Sequence, residues 1–173
     1  MPHYLNSASL SRIYSCYVSM RGIAVAMLLL HGGSAFADES PTERITAYFA
    51  AFNSNSGMEE VGAEYWFSEM VLNPRQRNAI HLSRSALAQQ FERLRSGLKD
   101  SGWIRSEVDE IGHCQLREDF ALVSVRYIRI FENGARRPGA ALYTLGKDSS
   151  VWKISSINSI DDTKMIRCNV DDS

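Results

Sequence analysis

The chain has 173 residues, 45% of them hydrophobic and 23% charged, with a formal net charge of −1. That composition gives room for one domain with a real core and excludes a disordered or fibrous protein. A slightly acidic chain without a clustered basic tract also makes a poor match for a phosphate backbone, so no nucleic-acid partner is expected.

Residues 1–37 read as a secretory signal. Arg21 supplies its charge, Ile23 through Leu30 its apolar run, and Ala35, Phe36 and Ala37 a small-x-small cleavage site before Asp38. The run is well short of the ~20 residues that span a bilayer, so no membrane anchor is expected after cleavage. The expected location is the periplasm or the outside of the cell. The polar stretch before Met20 is long for such a signal, which makes Met20 the expected start of translation. The excised segment holds Arg12 and Arg21 but no acid, so the remainder is more acidic than the whole. Of three cysteines, Cys16 leaves with the signal, and Cys114 and Cys168 remain where thiols oxidise. Paired, they would close a long loop and contribute about 4 kcal/mol by chain entropy; unpaired, they would be two thiols, one buried and one in a loose tail.

The domain is expected over residues 38–160, followed by a polar tail at 161–173. Ser40, Pro41 and Glu43 start a helix with a cap, a proline at its first position and a capping box. Ile45, Tyr48, Phe49 and Phe52 then form its apolar stripe. Ser56 and Glu59 repeat the capping pattern for a short second helix. Strands are expected at 67–72 and 78–82, around a turn on Asn73 and Pro74. Ser83 caps a third helix whose stripe is Leu87, Phe91, Leu94 and Leu98.

From Trp103 the period becomes two, and segments 103–114, 119–131, 137–147 and 151–157 read as an antiparallel meander with hairpin turns. Arg75 and Arg77, and the pair Arg136 and Arg137, read as solvated loops. In segment 119–131, Ala121, Val123, Val125, Tyr127 and Arg129 share one face, and Leu122, Ser124, Arg126, Ile128 and Ile130 the other. Both faces are substantially apolar, so this strand should meet the helices inside and something else, such as a second copy, outside. The fold class is α+β, a curved antiparallel sheet wrapped around three N-terminal helices.

This order of elements resembles the nuclear transport factor 2 like superfamily, which includes ketosteroid isomerases and SnoaL-type polyketide cyclases. The local echoes are "LSRSALAQQFERLRSGLKDSGW", "LREDFALVSVRYIRIFENG" and "LYTLGKDSSVWKISSI". The resemblance implies a cone with an apolar pocket at its wide end and a homodimer paired through the outer sheet face.

For acid–base chemistry in such a cone, Tyr48 would be a neutral donor and Glu69 the base, with Asp109 and Glu107 behind it; His81 would lie near the mouth, and His113 beside Cys114. For binding, the expected contacts are Arg126, Arg129, Tyr127, Tyr143, Trp66 and Trp103, and the ligand a small apolar or carboxylate-bearing molecule. Of four histidines, His3 and His31 leave with the signal; the two scattered histidines and two distant cysteines that remain do not make a zinc site, and neither a nucleophile elbow nor a phosphate-cradling glycine loop occurs. No metal or cofactor is expected. The reading is an exported binding or interaction module, with a cofactor-independent isomerase, cyclase or dehydratase as its alternative. Convergence of Tyr48, Glu69 and His81 on one cavity would decide between them. In the last hairpin, Trp152 reads as a plug closing the sheet on the helices, and Tyr143 as the aromatic of interest.

Overall fold

The computed structural model describes residues 39–74 and 78–168. The signal, the Met20 start and Arg75 and Arg77 lie outside these residues. Three helices, α1 (Pro41–Asn53), α2 (Met58–Tyr65) and α3 (Arg84–Asp100), lie against six strands: β1 (Trp66–Asn73), β2 (Ile80–Ser83), β3 (Trp103–Arg117), β4 (Phe120–Phe131), β5 (Arg136–Asp148) and β6 (Val151–Ile160). The strand order is β2-β1-β6-β5-β4-β3.

The helix starts follow their capping chemistry, with one exception. Ser40 Oγ accepts from Glu43 N at 3.2 Å while the Glu43 carboxylate accepts from Ser40 N at 2.8 Å, closing the box. Ser83 Oγ accepts from Ala86 N at the head of α3. At α2, however, the cap is Gly57 rather than Ser56, and no side chain of its own turn serves it. The free Met58 N–H donates instead to Glu92 of α3 at 3.2 Å, a tertiary partner invisible to local sequence.

The sheet departs from the expected pattern in one pairing. β1 runs parallel to β6, with Val71 opposite Ser156 and Leu72 opposite Ile157, so the sheet is mixed rather than wholly antiparallel. Nearly eighty residues separate these strands, and no turn signal marks their meeting. Arg136 and Arg137 belong to β5 rather than to a loop; Arg137 stacks on the Phe131 ring at 4.6 Å.

The core lies between the helices and the inner sheet face. Ala121, Val123 and Val125 of β4 have no exposed surface, and Tyr143, Leu145, Ile154 and Ile157 continue this face across β5 and β6. Ile45, Tyr48, Phe49 and Phe52 of α1 cover it. Trp152 is buried, and its backbone oxygen accepts from Arg44 Nε of α1 at 2.9 Å, which ties the last strand to the first helix.

The outer face is partly covered by the chain's own tail. Cys114 and Cys168 are joined in a disulfide with their Cα atoms 5.2 Å apart. Ile166 N donates to Ser124 Oγ at 2.9 Å, and Arg167 pairs with Glu110 at 3.2 Å. Ser124 is fully buried beneath this strap. Gly112 leaves the gap it crosses, because a Cβ there would run into the Ile166 carbonyl oxygen. The second, partly apolar face of β4 is therefore met at Ser124 by residues of the same chain.

Candidate functional site

Between α1, α3 and the inner face of the sheet lies a cavity of about 250 Å³. Its wall is aromatic: Tyr48, Phe49 and Phe52 from α1, Phe91 from α3, Tyr127 from β4 and Tyr143 from β5. The rings meet mainly edge to face. Tyr48 and Tyr143 have centroids 6.0 Å apart, Phe49 and Tyr143 6.2 Å, and Phe52 and Phe91 6.3 Å. Such contacts hold the rings in fixed orientations around the space they enclose.

Burial pushes the Tyr48 and Tyr143 hydroxyls well above the ordinary phenol range, so both stay neutral hydrogen-bonding groups. Polar lining is sparse: Gln90, Ser106, Ser159 and Arg129. Ser106 is fixed by two hydrogen bonds with the Asn53 side chain at the end of α1, at 2.8 and 2.9 Å. Among the described residues, no aspartate, glutamate or histidine lines the cavity.

The sequence-derived candidates separate into four environments. Tyr48, Tyr127, Tyr143 and Arg129 share the cavity. Trp66 and Trp103 are buried next to it, Trp66 against Phe91 at 5.4 Å and Trp103 against Phe52 at 5.7 Å; they support the wall without lining it. Glu69 and His81 are exposed, Glu69 on β1 opposite Ser83 and His81 on β2 opposite Val71, while Met70 and Leu72 between them face the core. Tyr48 therefore meets neither of its expected acid–base partners. His113 is exposed as well.

Arg126 and Arg129, both candidate ligand contacts, project to opposite faces, as the two-residue alternation of β4 predicts. On the outer face, Arg126 pairs with Asp109 at 2.7 Å and Glu110 at 2.8 Å. On the inner face, Arg129 donates to the Tyr127 hydroxyl at 3.3 Å and has no carboxylate partner among the described residues. Gln90, Ser106 and Ser159 were missed by sequence reasoning, since isolated polar residues on mixed elements carry no pattern. Gly139 was missed too: a Cβ there would come within 2.7 Å of the Tyr127 ring, so its absence lets that ring lie across β5.

A curved open sheet, three helices and an aromatic pocket between them define the cone-shaped, cystatin-like class. A solved NTF2-like protein with a cystatin-like fold from Novosphingobium aromaticivorans is similar at 15% identity and a TM-score of 0.55, over 68% of this chain and 76% of that one. A domain of unknown function with a cystatin-like fold from Nostoc punctiforme gives 19% identity and 0.53, over 73% and 78%. Aln2 from a Streptomyces species gives 13% identity and 0.55, over 72% and 94%. At such identities the likeness is one of fold. No curated protein matches the chain significantly. The family model described as NTF2-like protein (DUF6841) matches residues 39–162, and the chain belongs to that family.

Proposed function

We propose that this protein is a binding module that takes a small apolar molecule into its aromatic cavity. The observation that carries this reading is the composition of the wall, six aromatic side chains around an open space between the helices and the sheet. Two wall tyrosines are kept neutral by burial, so they can orient a ligand by hydrogen bonds without adding charge. Action after export is part of the proposal. It is supported by the signal-like residues 1–37 and by the Cys114–Cys168 disulfide, a bond that persists in oxidising compartments. Pairing of two copies through the outer sheet face would use Ile128 and Ile130, beyond the strap; native mass spectrometry tests it together with retained ligand.

Catalysis by general acid and base has weaker support. Tyr48 offers a neutral donor, but proton abstraction needs a base within hydrogen-bond reach, and Glu69 and His81 lie outside the cavity. A cavity of about 250 Å³ is also small for a four-ring steroid or a polyketide.

Calorimetric titration with a neutral two-ring probe, 2-naphthol, tests the reading. Ala141 lines the cavity, and Ala141→Phe fills it from a rigid strand. The wild type should bind and the filled variant, still folded by circular dichroism, should not. Equal binding by both, or by neither, overturns the proposal.

A further inference from the structure

Along the inner face of β4 the side chains pass from Val123 and Val125, fully buried, to Tyr127 and then Arg129, both half-buried at the cavity. Arg129 departs from the other sequestered arginines. Arg44 pairs with Glu39 and Glu64, and Arg95 with Glu92. Among the described residues, Arg129 has only the Tyr127 hydroxyl at 3.3 Å and the face of that ring, 5.3 Å from its guanidinium carbon. Its Nε is buried and makes no hydrogen bond; Arg95 Nε is in the same position, but there the guanidinium is neutralised by Glu92, whereas Arg129 has no such counter-charge among the described residues. A buried guanidinium donor without an acceptor is unfavourable and uncommon.

A second, independent feature lies on the neighbouring strand. The residue opposite Arg129 on β5 is Arg137, so two cations face each other across a strand pair. Like charges in that position repel, and among the described residues no carboxylate pairs with either one. An anion placed between them would satisfy the Nε donor and relieve the repulsion together. The planar fork of a guanidinium fits a carboxylate through two parallel hydrogen bonds. Behind Arg129 the cavity is apolar, with room for one or two rings.

We infer, building on the binding reading above, that the ligand is a small monocarboxylic acid with a flat apolar body. Its carboxylate lies on Arg129 beside the Tyr127 hydroxyl, with Arg137 adding long-range attraction. Its body lies among Phe49, Phe52, Phe91 and Tyr143. Arg126, already paired on the outer face, takes no part.

The test compares 2-naphthoate with its neutral counterpart 2-naphthol by calorimetric titration. The wild type should favour the carboxylate by about tenfold or more, and the preference should shrink with added salt. Arg129→Gln should abolish that preference, read as the ratio of the two probes' affinities in the same variant, whereas Arg129→Lys should keep only part of it. Arg126→Gln should change neither. If 2-naphthol binds and 2-naphthoate binds no better, the carboxylate assignment fails and the apolar-pocket reading stands. Binding of neither probe removes both. A preference that survives Arg129→Gln and disappears with Arg126→Gln would also overturn the assignment.

Discussion

Substituting Gly112 by alanine sets one methyl group against a pinned stretch of backbone. Gly112 has no positive φ, so alanine is compatible with its backbone, and the change by itself would stabilise by about 0.4–1 kcal/mol through the unfolded chain. Against this, the new Cβ meets the Ile166 carbonyl oxygen and comes within 2.9 Å of Ser124 Oγ. The carbonyl cannot rotate away as a side chain would. It is held by the Ile166 N to Ser124 hydrogen bond at 2.9 Å and, two residues on, by the disulfide.

Forced accommodation of this kind costs about 1–3 kcal/mol, and lifting the segment instead gives up a hydrogen bond of about 1 kcal/mol. The expected net loss is therefore about 1–2 kcal/mol with the disulfide intact. Cys168→Ser releases the pin, the segment can swing clear, and Gly112→Ala should then be close to neutral. Urea denaturation of the four species without reductant gives the cycle, with an expected coupling of about 1 kcal/mol or more. Additivity to within about 0.5 kcal/mol would show that the disulfide does not hold the strap against Gly112.

Three further outcomes follow from named groups. Burial raises the Tyr48 and Tyr143 hydroxyls above unfolded phenols, which ionise near 10; above that pH the unfolded chain releases protons that the folded one keeps, so stability should fall. Tyr48→Phe should flatten this alkaline decline in urea midpoints, and an unchanged slope would refute the assignment. For Glu92, partial burial opposes ionisation, but hydrogen bonds from Arg95 and the Met58 N–H outweigh it and hold the carboxyl below its ordinary range. Its contribution is present above the unfolded carboxylate pKa and lost as pH falls through the lowered value. Because the side chain is 48% exposed, the loss should stay under about 1 kcal/mol, and Glu92→Gln should flatten the acid limb of the same curve. Ser149 is exposed at φ 61° in the β5–β6 turn, so Ser149→Gly should stabilise by up to about 1 kcal/mol, read as a raised urea midpoint.

Local chemistry was legible where it repeats or punctuates. The capping residues Ser40 and Ser83, the α1 stripe and the two-residue period of β4 sort side chains by face before any fold is known. That period separated Tyr127 and Arg129 from Arg126. It could not say which face was inside, because both carry aliphatic residues.

The sequence by itself determined the elements, their order and the membership of each strand face, since these depend on neighbours within a few residues. Only the tertiary structure decided which face lines the cavity, that Glu92 serves the head of α2, that β1 joins β6 in parallel, and that the tail crosses the outer sheet at Gly112. Each of these depends on groups that meet across more than thirty residues of chain, and such contacts leave no periodic mark. The same holds for Tyr143 and Trp152 in the last hairpin. Both are buried on the inner face, but only the placement of α1 makes Tyr143 a wall of the cavity while Trp152 closes the core under Arg44.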